Sequence, residues 1–302
     1  MKKHVTRIIY FSIAVFLLNF FYGCKQEKPD SYTEEILDWH KKRIENLTKK
    51  DGWLSLVGLY WLKEGENKFG SDKSNDIVFP ANAPAFIGTF ILEDGGVTAK
   101  MNPGIGIYVD TMLVEKIKMK DDQTENPTIL RLGTLSWYVI KRTIGLGIRV
   151  KDSENHLIKD FKGIETYPVD IKWRLAAQFI PYDPPRIITV PDILGTVEDT
   201  PSPGALSFFI NDKQFTLDVI DAGRQFYIIF GDITNGKETY GAGRFLYVDK
   251  PDSSNITTID FNKAYNPPCA FTKFATCPLP PKQNLLRAEI KAGEKKYEGA
   301  GH

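Results

Sequence analysis

The sequence has 302 residues, with 39 Lys and Arg against 38 Asp and Glu, a formal charge of +1. That balance excludes the clustered basic surface of a nucleic-acid-binding protein. Four histidines (His4, His40, His156 and His302) leave a Ser-His-Asp triad or a multi-His metal centre almost nothing to draw on.

Lys2, Lys3 and Arg7 precede an uncharged apolar run over residues 8–21, which ends in Tyr22-Gly23-Cys24. A charged start, an apolar stretch and a small residue before a cysteine predict a bacterial lipoprotein signal over residues 1–23. Cleavage would follow Gly23, and Cys24 would carry the lipid, palmitate included. The run is shorter than the roughly 20 residues a transmembrane helix needs. An uncleaved anchor and a plain secretory signal are the alternatives. Residues 24–32, polar and holding Pro29, read as a tether. Lys25 after the lipidated cysteine favours the outer membrane of the cell envelope, with the lipid on Cys24 as the contact with the membrane.

Residues 33–49 predict an amphipathic helix. Thr33 is the expected N-cap, Glu34 and Glu35 suit the first turn, and Ile36, Leu37, His40, Ile44 and Leu47 share a face. Gly52 should end it. From Trp53 onward, short apolar runs alternate with Gly, Pro, Asn and Asp. Strands are predicted over 66–70, 77–79, 86–93, 97–101, 105–109, 112–119, 128–132, 136–142 and 147–151. Asp94-Gly95-Gly96 marks a hairpin. After an imperfect alternation at 171–180, further strands are expected at 186–191, 204–210, 213–221, 226–230, 243–248 and 257–260. The domains are therefore read as 33–155, a helix plus β-sandwich, and 156–302, a second antiparallel β domain.

Two motifs carry candidate chemistry. In residues 230–246, Asn235-Gly236 predicts a two-residue type I′ hairpin turn, and Gly241 and Gly243 suit a close backbone approach. Asp232, Glu238, Tyr240 and Arg244 would then line a pocket, with Arg244 pairing with Asp232 or clamping an anion. In residues 260–281, prolines fix a long irregular loop holding Asn262, Asn266, Cys269 and Cys277. The two cysteines could form a disulfide in an oxidising compartment, sit as buried thiols, or serve as a nucleophile or metal pair. Eight-residue spacing without a nearby His disfavours a metal, and no cofactor is expected.

The runs Tyr240-Gly-Ala-Gly-Arg-Phe-Leu, Asp260-Phe-Asn-Lys-Ala-Tyr-Asn-Pro-Pro-Cys-Ala-Phe-Thr-Lys-Phe-Ala-Thr-Cys-Pro-Leu-Pro-Pro and Trp53-Leu-Ser-Leu-Val-Gly-Leu-Tyr-Trp-Leu resemble the DUF1684 family. That family is uncharacterised and implies no catalytic residues. The run Phe69-Gly-Ser-Asp-Lys-Ser-Asn-Asp-Ile-Val-Phe is similar to the opening of forkhead-associated (FHA) domains, which implies a sandwich. Ser71 stands where those domains place Arg, which disfavours phosphopeptide reading.

The expectation is a lipid-anchored, mainly β envelope protein acting as a non-catalytic binding or scaffolding module for an unidentified protein or small molecule, without nucleic acid. The alternative is a small-molecule hydrolase or other enzyme in the C-terminal domain, built on Asp232, Arg244, Asn266 and the Cys269 loop.

Overall fold

A computed structural model describes residues 30–299; the expected signal peptide and Cys24 lie outside the described residues. Residues 36–299 form one compact unit. The protein is mainly β, with an N-terminal helix and antiparallel sheets in two domains. No described helix is long and apolar enough to cross a membrane.

The helix spans Ser31–Thr48 and starts inside the expected tether. Asp30, not Thr33, caps it: Asp30 Oδ1 accepts the Thr33 N–H at 2.7 Å, satisfying one of the free donors of the first turn. Ile36 and Leu47 are buried, whereas Leu37 is half exposed. At Gly52 a Cβ would meet the Leu47 carbonyl oxygen at 2.5 Å, so the chain can turn this tightly only without a side chain.

The N-terminal β domain holds two sheets. One runs Leu56–Trp61, Gly145–Asp152, Leu135–Arg142, Leu130–Leu132, Tyr108–Val109, Met112–Leu113. The other runs Ile77–Val78, Gly65–Gly70, Gly88–Glu93, Gly96–Met101, Lys116–Met119, with its first pair parallel. Asp94 and Gly95 both take positive φ, 51° and 68°, closing the expected hairpin as a type I′ turn does.

The core between these sheets collects Phe69, Phe90, Trp137, Ile148 and Val150. Strand residues alternate faces. Leu135, Trp137 and Val139 face the core, together with Leu146, Ile148 and Val150 of the neighbouring strand. Tyr138, Arg142, Arg149 and Lys151 therefore project from the opposite face of the same sheet.

The C-terminal domain is one six-stranded antiparallel sheet in the order Arg244–Asp249, Gln225–Phe230, Lys213–Ala222, Val197–Ile210, Arg174–Pro191, Ile256–Asp260. Phe226, Ile228 and Phe230 face a core with Phe208, Leu217 and Phe261. On the other face, Tyr227 sits opposite Tyr247 and Ile229 opposite Phe245.

Two differences from expectation have local causes. Strand Arg174–Pro191 runs through the proline-rich 181–185, where its pairing with Val197–Ile210 shifts register; prolines hid this continuity. The hairpin joining Gln225–Phe230 to Arg244–Asp249 closes at Phe230 and Arg244, not at Asn235-Gly236. Only Gly236 of that dipeptide has positive φ, 78°. The Asn235 side chain is instead tied into the 231–243 loop: Nδ2 donates to Thr239 Oγ1 and the Tyr240 carbonyl, and Oδ1 accepts the Asp232 N–H.

Candidate functional site

Arg244 takes the partner expected of it, Asp232, at 2.7 Å, with both side chains fully buried. Its Nη1 and Nη2 also donate to the carbonyls of Ile290, Ala292 and Glu294, while Nε is buried without a partner. The pair is therefore an internal brace that pins residues 290–294 to the sheet.

Asn262 has a similar bracing position. Its Nδ2 donates to the Asp170 carbonyl and to Asp260 Oδ1, while its Oδ1 accepts the Asp170 N–H. Asn266 donates its N–H to Glu294 Oε2 at 2.7 Å and its Nδ2 to the Lys295 carbonyl; its Oδ1 is buried without a partner. Tyr240 donates to the Cys269 carbonyl at 3.1 Å.

Cys269 and Cys277 are both buried free thiols, and the Cys269 N–H points at Cys277 Sγ, 3.1 Å away. A hydrogen bond from Cys277 holds the Cys269 thiol below its ordinary pKa, and burial pushes Cys277 far above. Among the described residues, no group of three or more His, Cys, Asp or Glu is placed to hold a metal ion.

Asp232 also lines an open cavity of about 550 Å³ with Gly241 and Gly243, but the cavity richest in aromatic rings lies elsewhere. A cavity of about 310 Å³ opens between the outer face of the first sheet and the back of the C-terminal sheet. That is the low end of small-molecule pocket volumes. Trp53, Tyr227, Phe245, Tyr247 and Tyr265 supply rings, and Arg43 and Arg142 supply charge.

Tyr227 and Tyr247 lie 5.1 Å apart by ring centroids, and Tyr247 stacks on Tyr265 at 6.3 Å and 13°. Burial raises the Tyr227 and Tyr265 hydroxyls well above their usual pKa, so both stay neutral. The Arg43 guanidinium stands 4.6 Å from the Tyr265 ring centroid, within cation–π range.

Charge at the cleft is arranged around Thr276 and Glu294. The Thr276 hydroxyl accepts from Arg142 Nε at 3.0 Å and from Arg149 Nη2 at 3.1 Å. Arg142 also forks onto both oxygens of Asp122, at 3.0 and 2.8 Å. Arg43 pairs with Glu294 at 3.3 Å. Burial raises the Glu294 pKa, against the opposing pull of Arg43. A second chamber of about 330 Å³ shares Arg43 and Trp53 with the first and adds Lys49, Asp51 and Lys151.

Of the expected site residues, only Cys277 lines the aromatic cavity. Sequence reasoning missed Arg43, Trp53, Arg142, Arg149, Tyr227, Tyr247 and Tyr265. One signal was present: cations at alternate strand positions, Arg149 and Lys151, beside apolar residues of a strand assigned to the core.

No curated protein matches the chain. A solution NMR structure of an uncharacterised protein from Haloarcula marismortui is similar at 26% identity, over 47% of this chain and 80% of that one, with a TM-score of 0.39. Residues 159–295 match the family model DUF1684, described as a protein of unknown function. The match spans the motifs at 240–246 and 260–281 and leaves out the run at Trp53; over residues 159–295, the chain is similar to the DUF1684 family.

Proposed function

We propose that the protein is a lipid-anchored, non-catalytic binding module of the bacterial envelope and that its ligand is a small molecule held in the cavity between the two β domains. The observation that carries this reading is the convergence of Trp53, Tyr227, Tyr247 and Tyr265 with Arg43 and Arg142 around about 310 Å³. Rings with a few placed polar groups are the usual lining of a ligand site. The anchor rests on the sequence pattern ending in Cys24.

A thermal-shift screen of the purified chain against a broad metabolite set tests the binding reading. A ligand that binds only the folded state raises Tm, by an amount that grows with the logarithm of its concentration over Kd. At least one compound should do so, and Tyr247→Ser, at a half-exposed ring, should abolish the shift while leaving the ligand-free Tm close to wild type. A shift that survives Tyr247→Ser places the ligand elsewhere. For the anchor, Cys24→Ala should move the protein from the membrane to the soluble fraction.

A further inference from the structure

Arg149 differs from the other two arginines at the cleft. Arg43 has Glu294 and Arg142 has Asp122, but among the described residues Arg149 makes no ion pair. It is 2% exposed, its Nε is buried without a hydrogen-bond partner, and its Nη2 reaches only the Thr276 hydroxyl. Its guanidinium lies 5.5 Å from the Trp53 ring centroid. Thr276 and Trp53 both line the aromatic cavity, so this charge sits directly behind the cavity wall.

An arginine cannot shed its proton to escape burial, as a lysine can. A buried, unpaired guanidinium is therefore a standing cost to the fold unless an anion arrives to balance it. Burial keeps the nearby Cys277 thiol protonated, so it does not supply that anion. The adjoining chamber adds Lys49 and Lys151 against the single acid Asp51, and Lys151 Nζ is already turned to the Asp51 carbonyl at 2.5 Å. The approach to the cavity is cationic as well.

We infer that the cleft takes a ring-bearing small molecule with an oxyanion group, carboxylate or phosphate, whose charge Arg149 balances while the ring packs on Tyr227, Tyr247 and Tyr265. This rests on the cavity being a ligand site and adds the chemical class. A guanidinium charge behind the wall balances either oxyanion, and the tyrosine faces suit a planar ring.

The test is calorimetric titration of the full mature chain with four probes: phenyl phosphate, benzoate, phenol and inorganic phosphate. At least one of the two anionic ring compounds should bind about tenfold or more tighter than phenol, as expected for an anion placed near a desolvated, unpaired guanidinium. Which of the two binds tighter identifies the oxyanion. Inorganic phosphate, lacking the ring, should be the weaker partner of phenyl phosphate. Arg149→Met should remove the preference for the anion and leave phenol binding in place, and its ligand-free Tm should not fall. Arg149→Lys should restore part of the preference.

Phenol binding as tightly as benzoate and phenyl phosphate would overturn the inference while leaving the cavity as a ligand site. No binding by any probe would overturn the inference, and continued failure of the metabolite screen would then remove the cavity reading too. Should Arg149→Met not fold, Arg149→Gln takes its place, and an anion preference unchanged in that variant would overturn the assignment to Arg149.

Discussion

The Asp232 carboxylate and the Arg244 guanidinium meet at 2.7 Å with neither side chain exposed to solvent. A buried pair is costly to break from one side, because the remaining charge is left without a partner. Asp232→Ala should therefore destabilise the protein by about 3–5 kcal/mol in urea unfolding. Asp232→Leu with Arg244→Met should cost less than Asp232→Ala alone. A double variant as unstable as the sum of both singles would refute the brace.

Glu294 is 1% exposed, and burial raises its pKa above the usual 4.5. In the unfolded chain the carboxyl ionises first, while the folded chain keeps its proton over a higher range. The folded state then binds more protons, so this group makes stability fall as pH rises from the unfolded value through the raised one. Arg43→Met removes the nearby charge that opposes the shift. The variant should lose more stability than wild type over that pH window, measured as Tm against pH. Identical slopes would contradict the pairing.

Cys269 and Cys277 have opposite shifts although they touch. The thiolate is the reactive form, so Cys269 should be alkylated first as pH is raised. Iodoacetamide followed by peptide mapping reads the order. Both thiols are buried, and labelling should be slow until the loop opens. Faster labelling of Cys277 would refute the direction of that hydrogen bond.

Gly243 has a φ of 88°, and a Cβ there would run into Pro280 and the Phe230 carbonyl oxygen. Gly243→Ala combines a left-handed backbone with a collision against the chain, at a cost of about 1–3 kcal/mol. Gly236 also has positive φ, 78°, but open space around it, so Gly236→Ala should cost less. Chemical denaturation of the two variants ranks them.

Local periodicity made much of the fold legible. The alternation in 136–142 and 147–151 gave two strands whose bounds extended by only one or two residues. Asp94-Gly95 gave its turn because both residues tolerate positive φ. Asn235-Gly236 carried the same signal and failed, because Asn235 had side-chain partners within its own loop that competed with the turn.

The site was largely illegible because its partners are far apart in sequence. Arg43 reaches Glu294 across 251 positions, and Arg142 reaches Thr276 across 134. The segment after residue 260 has no period to indicate which side is buried. Arg244 was correctly paired with Asp232, but its role depended on the backbone at 290–294 closing over it.

The alternation that sends Arg142 and Arg149 out of the first sheet has a further consequence. The rings at Tyr227, Tyr247 and Tyr265 lie inside the stretch 159–295, whereas Arg43, Trp53, Arg142 and Arg149 lie before it. On the proposed reading, shape preference and charge preference reside in separately encoded modules. Exchanging the N-terminal module could retune the sign of the accepted ligand while the ring platform stayed the same. Relatives that share only the later stretch would inherit the platform without its charge.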